Sequence, residues 1–264
     1  MSRSALLAPL LDPDARPVVG HRGASGDAPE NTLPSFELAV SSGVDALEFD
    51  VHLAADGVPV VIHDPTLGRT TDRSEAIAAL PYAAIREADA GARFTPDLGR
   101  TFPFRGRGIH VPTLEEVVTA FPDLPLVIEI KTVGAQEEAL RVLERHGCRP
   151  RAIVSSFDPL AVARFRMEGW MTGAASGEAA RLKFAPRAPS AVPYRALFVP
   201  VTWRGIPVPT RGFVARARAL GVPVHVWTVN DAALGVRLWR RGCAGMIGNY
   251  PRALLEARAV HHGA

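Results

Sequence analysis

Lysine is nearly missing from these 264 residues: of 30 basic side chains, only Lys131 and Lys183 are lysines. A residue used so sparingly draws notice where it closes an apolar run, as Lys131 does. Cysteine is just as scarce, with Cys148 and Cys243 alone. Each follows a predicted helix, and their spacing suits no metal. That excludes a disulfide framework or a thiolate metal site and predicts two buried thiols. Charge of one sign is not in marked excess, since the formal net charge is +3. No basic run stands out, so nucleic acid is not an expected partner. Long hydrophobic runs are also missing. The N-terminal candidate, Ala5 to Leu11, is short and interrupted by Pro9, so it is neither a secretory signal nor a membrane span. These absences point to a cytoplasmic protein with no stable membrane insertion. What remains, 47% hydrophobic and 22% charged residues, is the composition of a globular chain long enough to bury a substantial core.

The stretch Ala46 to Asp64 organises the rest. Apolar and β-branched residues crowd around Glu48 and Asp50, which predicts a buried strand, and a strand's period of two puts both carboxylates on one face. Two acids aimed the same way from a desolvated strand repel each other unless something positive lies between them. Asp56-Gly57 supplies a turn, and Val58 to Ile62 reads as a second strand ending at His63-Asp64. Too few residues separate the two strands for a parallel crossover, so they pair as a hairpin and return His63 toward the carboxylates. The blander reading is a solvated Asp-Gly hairpin, which the apolar surroundings of both acids disfavour.

Along the chain, Pro17 to Gly23 reads as a strand ending in the polar tip His21-Arg22. Thr32 is an expected N-cap for the helix that follows, which Gly43 stops. Residues 52–110 read as an insertion: the hairpin, then a loop-rich flap with one helix near Tyr82 to Ala88. From the capping box Thr113-x-x-Glu116 onward, strand, cap, helix and glycine recur. Strands are expected at Leu126–Lys131, Ala152–Ser156, Met171–Ala175, Ala196–Val201, Val222–Thr228 and Ala244–Asn249. The connection after Met171–Ala175 reads as Pro-rich and barely helical. Eight strands alternating with helices in one α/β chain fit a (β/α)8 TIM barrel spanning residues 1–264. The competing doubly wound sheet expects a glycine-rich phosphate loop after the first strand, which His21 to Gly26 matches only loosely.

In a barrel, chemistry sits at the C-terminal strand ends. Here those ends carry His21-Arg22, Glu48-x-Asp50, Glu129-x-Lys131, Ser155-Ser156-Phe157 and Trp227-Thr228-Val229-Asn230. Sequential strands lie about 4.8 Å apart, so Glu48, Asp50 and Glu129 can converge on one point. All-oxygen ligation suits a hard divalent cation, Mg²⁺ or Ca²⁺, better than zinc. Duller readings exist for each residue: a rim ion pair for Glu129 and Lys131, a satisfied core histidine for His21 or His63, and ordinary core for Trp227. His52 reads as a hairpin face residue. Taken together, two imidazoles, one cation site, Arg22 and Lys131 suit hydrolysis of a phosphodiester, with the imidazoles exchanging protons and the cations holding phosphate oxygens.

These residues also carry a resemblance. His21-Arg22-Gly23, Pro29-Glu30-Asn31-Thr32-Leu33, Glu48-Phe49-Asp50-Val51, Asp56-Gly57, His63-Asp64, Thr66-Leu67, Arg69-Thr70-Thr71, Glu129-Ile130-Lys131 and Trp227-Thr228-Val229-Asn230 are similar to the motifs of the glycerophosphodiester phosphodiesterase family. The resemblance spans nearly the whole chain and is densest from Val18 to Asp72; no such motif lies between Gly173 and Trp203. It implies a barrel with an insertion after the second strand and hydrolysis of a small-molecule glycerophosphodiester to glycerol 3-phosphate and an alcohol. It makes His21 and His63 the acid–base pair, Glu48, Asp50 and Glu129 the metal ligands, and Arg22 and Lys131 phosphate contacts. Trp227 becomes an apolar wall for the glycerol end. Where that family commonly ends its last strand in Thr-Asp, this chain has Gly248-Asn249. Competing expectations are a lysophospholipid substrate, favoured if Phe94, Phe102 and Phe104 line the mouth, an idle phosphate-binding barrel, and a metal-free glycosidase.

Overall fold

Alternation along the strands decides what lies inside and what lies outside. The computed structural model describes residues 6–187 and 189–262. After a short helix α1 (Ala8–Leu11), strand β1 (Val18–His21) leads through α2 (Leu33–Ser41) to β2 (Ala46–Leu53), which turns back as β3 (Pro59–Val61). The flap holds α3 (Tyr82–Arg86), and α4 (Leu114–Ala120) returns the chain to β4 (Leu126–Ile130), α5 (Gln136–Arg145), β5 (Ala152–Ser155) and α6 (Pro159–Met167). Then come α7 (Ser176–Phe184), β6 (Leu197–Pro200), a small hairpin of β7 (Thr202–Trp203) and β8 (Ile206–Pro207), α8 (Arg211–Ala219), β9 (Val224–Trp227), α9 (Ala232–Arg240), β10 (Met246–Gly248) and α10 (Pro251–His262).

The staves lie in the order β5-β4-β2-β1-β10-β9-β6, parallel throughout, with β3 antiparallel on β2. Thr172 bridges Val154 and Gly173 bridges Ala196, so residues 172–173 supply the eighth stave and join β5 to β6 as a (β/α)8 barrel. The strand expected over Met171–Ala175 is thus only two bridges long. Its constraint is a close approach: a Cβ on Gly173 would meet the Phe198 ring at 2.9 Å and Ser155 Cβ at 3.0 Å. The connection read as barely helical is in fact the nine-residue α7. Its start is fixed by Glu178, whose carboxylate accepts from the Ala175 N–H at 2.7 Å. Thr113, Asp158, Thr210 and Asp231 each cap a helix by accepting a backbone N–H, whereas the hydroxyl of Thr32, the expected cap of α2, donates to Pro29 O instead.

Outward residues of the strands, such as Leu47, Phe49, Ile128 and Val154, are buried against the helices. Inward ones, Val19, Ala46, Val127, Ile153, Ala196 and Ile247, form the floor of the barrel with Leu7 and Leu10. Residues 6–11, for which no element was expected, therefore plug the bottom, and His225 Nε2 donates to Leu10 O at 2.9 Å to hold them there. The apolar run read from the sequence begins at Ala5, outside the described residues. Two positions further along β1, β2, β4 and β5 than the floor, the inward side chains turn polar (His21, Glu48, Glu129 and Ser155), while Phe198 on β6 stays apolar. The flap carries its own small core of Leu67, Ile77, Ile85 and Val111 packed with Val60 and Ile62 of the hairpin. Among the described residues no helix is long and apolar enough to cross a membrane, and both cysteines are buried and free.

Candidate active site

Register sets the geometry. In the parallel ladder His21 of β1 pairs with Glu48 of β2, and Asp50 pairs with Glu129 of β4. Each of these side chains shares the parity of a floor residue on its own strand, so all point up into the same mouth. Glu48, Asp50 and Glu129 bring one carboxylate oxygen each to within 4.8 Å of one another. Lys131 Nζ lies 2.8 Å from Glu129 Oε1 and 3.4 Å from Asp50 Oδ1. Arg22 Nε lies 3.1 Å from Asp50 Oδ2 but off the line of a hydrogen bond, while its terminal nitrogen donates to Glu30 at 2.8 Å.

The loop after β1 is built to aim Arg22. Arg22 and Gly23 both adopt left-handed backbone, with φ of +55° and +87°. That turn brings the Arg22 N–H to Glu48, donating to its backbone oxygen at 2.9 Å and its side-chain Oε2 at 3.0 Å. Gly23 is required twice over, because a Cβ there would also fall 2.4 Å from Ser35 Oγ. Asn31, at φ +57°, is a residue type that tolerates the left-handed region. Its amide donates to Asp50 Oδ2 at 3.0 Å.

Each histidine is tethered through Nδ1. His21 Nδ1 is 2.6 Å from Asn249 Oδ1, and its Nε2 lies 4.0 Å from Glu48 Oε2. His63 Nδ1 is 2.6 Å from Asp64 Oδ1. Asp64 accepts from Arg69 at 2.6 Å, and Arg69 reaches on to both oxygens of Glu30 at 2.6 and 2.7 Å. One chain of charges thus runs His63–Asp64–Arg69–Glu30–Arg22–Asp50. His63 itself is a third exposed, at the rim rather than in the mouth. His52, read from the sequence as a hairpin face residue, is buried, and its Nε2 donates to the His63 carbonyl at 3.0 Å. Its parity with Asp50 turns it inward. Trp227 stands on the far wall, edge-on to Phe157 with ring centroids 5.8 Å apart. Phe94 and Phe104 pack edge-on to each other and Phe102 lies under Arg105, so the flap's phenylalanines pack within the flap and do not line the cleft.

The electrostatics follow from crowding. Burial and then the neighbouring Asp50 charge push Glu48 well above the usual carboxylate range, and the same two causes raise Glu129. Burial would raise Asp50 too, but Arg22 and Lys131 outweigh it and bring it down. Burial, reinforced by the Arg22 charge, lowers His21 to about 4. Burial opposes ionisation of Asp64, yet its bonds to Arg69 and His63 hold it at about 2. Fully ionised, the three carboxylates outnumber the charges of Arg22 and Lys131, before Glu30 draws on the Arg22 charge as well. An all-oxygen set with that excess fits a hard divalent cation.

Of the residues singled out in the sequence, the structure gathers His21, Arg22, Glu48, Asp50, Glu129, Lys131 and Trp227 around one mouth, with His63 at its rim. Sequence reasoning assigned no part to Glu30, Asn31, His52, Asp64, Arg69 or Asn249. Parity signals two of them, since Asn249 lies two residues after the floor residue Ile247 and His52 two after Asp50.

Known proteins resemble this chain in sequence and fold. The chain is 29% identical to a glycerophosphodiester phosphodiesterase of Bacillus subtilis (strain 168), over 92% of this chain and 86% of that one. A phosphodiesterase of Oleispira antarctica, solved in complex with the product sn-glycerol-3-phosphate, superposes with a TM-score of 0.75 at 27% identity, covering 92% of this chain and 96% of that one. The same barrel is seen in the glycerophosphoryl diester phosphodiesterase domain of a Mycobacterium tuberculosis protein, at a TM-score of 0.81 and 23% identity over 92% of this chain and 99% of that one. Residues 21–253, from the first histidine of the mouth to the last helix, match the model of the glycerophosphoryl diester phosphodiesterase family, and the chain belongs to that family.

Proposed function

We propose that this chain hydrolyses a glycerophosphodiester to glycerol 3-phosphate and an alcohol. The observation that carries the reading is the convergence of Glu48, Asp50 and Glu129 within 4.8 Å, beside a histidine and an arginine on the adjacent strand tip. Glu48, Asp50 and Glu129 would hold one divalent cation, Mg²⁺ or Ca²⁺, which when bound draws charge from a phosphoryl oxygen. Arg22 offers a fork of donors and Lys131 a point charge, and both would grip the remaining phosphate oxygens as negative charge builds up. Both imidazoles have Nδ1 tied, leaving Nε2 as the working nitrogen: one takes the proton of the attacking oxygen and the other delivers one to the leaving alcohol. Asp64 keeps His63 in one tautomer and orientation. Trp227 and Phe157 shield the mouth from water on the far side. An idle phosphate-binding barrel would need the cation and Arg22 but no tethered imidazoles, and a glycosidase would need neither Lys131 nor the cation.

Residues 1–264 are read as one catalytic barrel with 52–110 as an insertion that delivers His63. Two free buried thiols fit a reducing, cytoplasmic setting. The test is release of glycerol 3-phosphate from glycerophosphocholine or glycerophosphoethanolamine, followed by a coupled dehydrogenase. His21→Ala and His63→Ala should each lower kcat by about 10²–10⁴; unchanged turnover in either would overturn the assignment.

A further inference from the structure

Between Glu178 and Asp231 the chain carries eight arginines and lysines and not one acidic residue, where its average composition would place about five. No basic run marks the stretch, because the charges are spaced, but the rest of the chain sets the remaining 22 basic residues against all 27 acids. The fold keeps this imbalance on one side. Here α7, β6, α8 and β9 follow one another round the barrel and share a core, and the β7–β8 hairpin stands out from them. Among the described residues only Arg218 of the eight meets a carboxylate, that of Asp14 at 2.7 Å. One flank of the barrel is therefore positive, and the acids lie elsewhere.

The same flank displays apolar side chains. Trp203 and Ile206 pair across the hairpin and are 53 and 50% exposed, and Phe184 at the end of α7 is 66% exposed. All three border one surface groove, so they form a continuous patch. The hairpin presents its pair by local necessity: Arg204 and Gly205 form the two-residue turn between them, with φ of +48° and +81°. Its base is held down, since Lys183 donates to the Pro207 and Val208 carbonyls at 2.7 and 3.1 Å and Val208 is buried. Arg204 lies in the turn itself, Lys183 beside Phe184, and Arg181 one helical turn before Phe184. A crest of tryptophan and isoleucine ringed by cations does not suit a second copy of itself, because two such faces repel. Duplex nucleic acid offers no apolar phase for Ile206 and Phe184. An anionic bilayer offers both, as the indole settles at headgroup level, the apolar side chains enter the acyl boundary and the cations meet phosphates.

We propose that this flank docks the protein reversibly onto an anionic lipid bilayer, led by Trp203 and Ile206 of the hairpin. Docking of this kind is peripheral, needs no membrane-crossing helix and does not depend on the phosphodiesterase reading. Each cation at a bilayer rich in acidic lipid strengthens binding about fivefold, so Arg181, Lys183 and Arg204 together give a preference of about a hundredfold over a neutral bilayer.

The experiment is co-sedimentation of the full chain with vesicles of phosphatidylcholine alone and of phosphatidylcholine mixed equally with phosphatidylglycerol. The mixed vesicles should bind about a hundredfold more tightly, and less so as salt screens the charges. Arg204→Glu should weaken that binding about twentyfold, and Trp203→Ser combined with Ile206→Ser about tenfold or more. Circular dichroism of both variants should stay that of wild type, because all three positions are exposed. Trp203 is also the most exposed of the four tryptophans. Phosphatidylcholine with brominated acyl chains should therefore quench the fluorescence of bound wild type, while Trp203→Phe should keep most of the binding and lose the quenching. Equal binding to both vesicles, binding to neither, or quenching that survives in Trp203→Phe would overturn the proposal. So would self-association or duplex DNA binding that Trp203→Ser abolishes, in a protein that ignores vesicles.

Discussion

Replacing Glu48 by glutamine should make the metal-free protein more stable while weakening its hold on a cation. Glu48, Asp50 and Glu129 approach within 4.8 Å, and at that distance two unit charges repel by about 3.5 kcal/mol at an effective dielectric near 20. Arg22 offsets part of this, and the glutamine carbonyl still accepts the Arg22 N–H that now donates to Oε2. A net gain of about 2 kcal/mol remains, which in a chain of this size raises Tm by about 4–8 °C. The pH dependence has a definite sign. Folding raises the Glu48 and Glu129 carboxyls, so metal-free protein loses their contribution as pH climbs through the raised values. Asp50 is lowered, so its contribution is present above the ordinary aspartate range and is lost as pH falls. The assay is thermal unfolding in EDTA and again with Mg²⁺ or Ca²⁺. Wild type should gain stability from the cation and the variant little. A variant that melts lower in EDTA yet keeps the full cation-induced shift would refute the reasoning.

Other outcomes follow from the same contacts. Asp64→Asn should lower kcat on the order of 10²-fold with KM little changed, because His63 loses the carboxylate that fixes its tautomer and orientation; steady-state kinetics decide it. Lys131→Met should lower kcat/KM by about 10²–10³ by removing a cation aimed at the phosphate, checked on the same substrate. Arg151 is buried with no carboxylate partner among the described residues, and it donates to the Val118, Phe121 and Leu124 carbonyls at 2.9–3.0 Å. Arg151→Met should therefore cost about 3 kcal/mol in denaturant unfolding while leaving the active-site chemistry intact.

Period-two alternation made the barrel and most of its mouth legible in advance. Glu48-x-Asp50 and Glu129-x-Lys131 display their parity openly, and the punctuation of caps and glycines marks the helices. The stave at residues 172–173 did not show because it is held by two bridges and a glycine's close approach, not by an apolar run. Helix α7 was hidden by Ser176-Gly177 at its start and the prolines beyond its end. The charge chain was invisible for another reason: Arg69 and Glu30 are 39 positions apart, and only the flap's path brings them together. Asn249 and His52 both obey the alternation rule; His52 shares the parity of Asp50 within β2 but was read as a hairpin face residue.

The most direct measurement is turnover of glycerophosphocholine by protein stripped with EDTA and then titrated with Mg²⁺ or Ca²⁺. Gathering of Glu48, Asp50 and Glu129 on a single ion predicts no glycerol 3-phosphate from the stripped enzyme and full recovery at one bound cation per chain. Undiminished turnover in EDTA would contradict it.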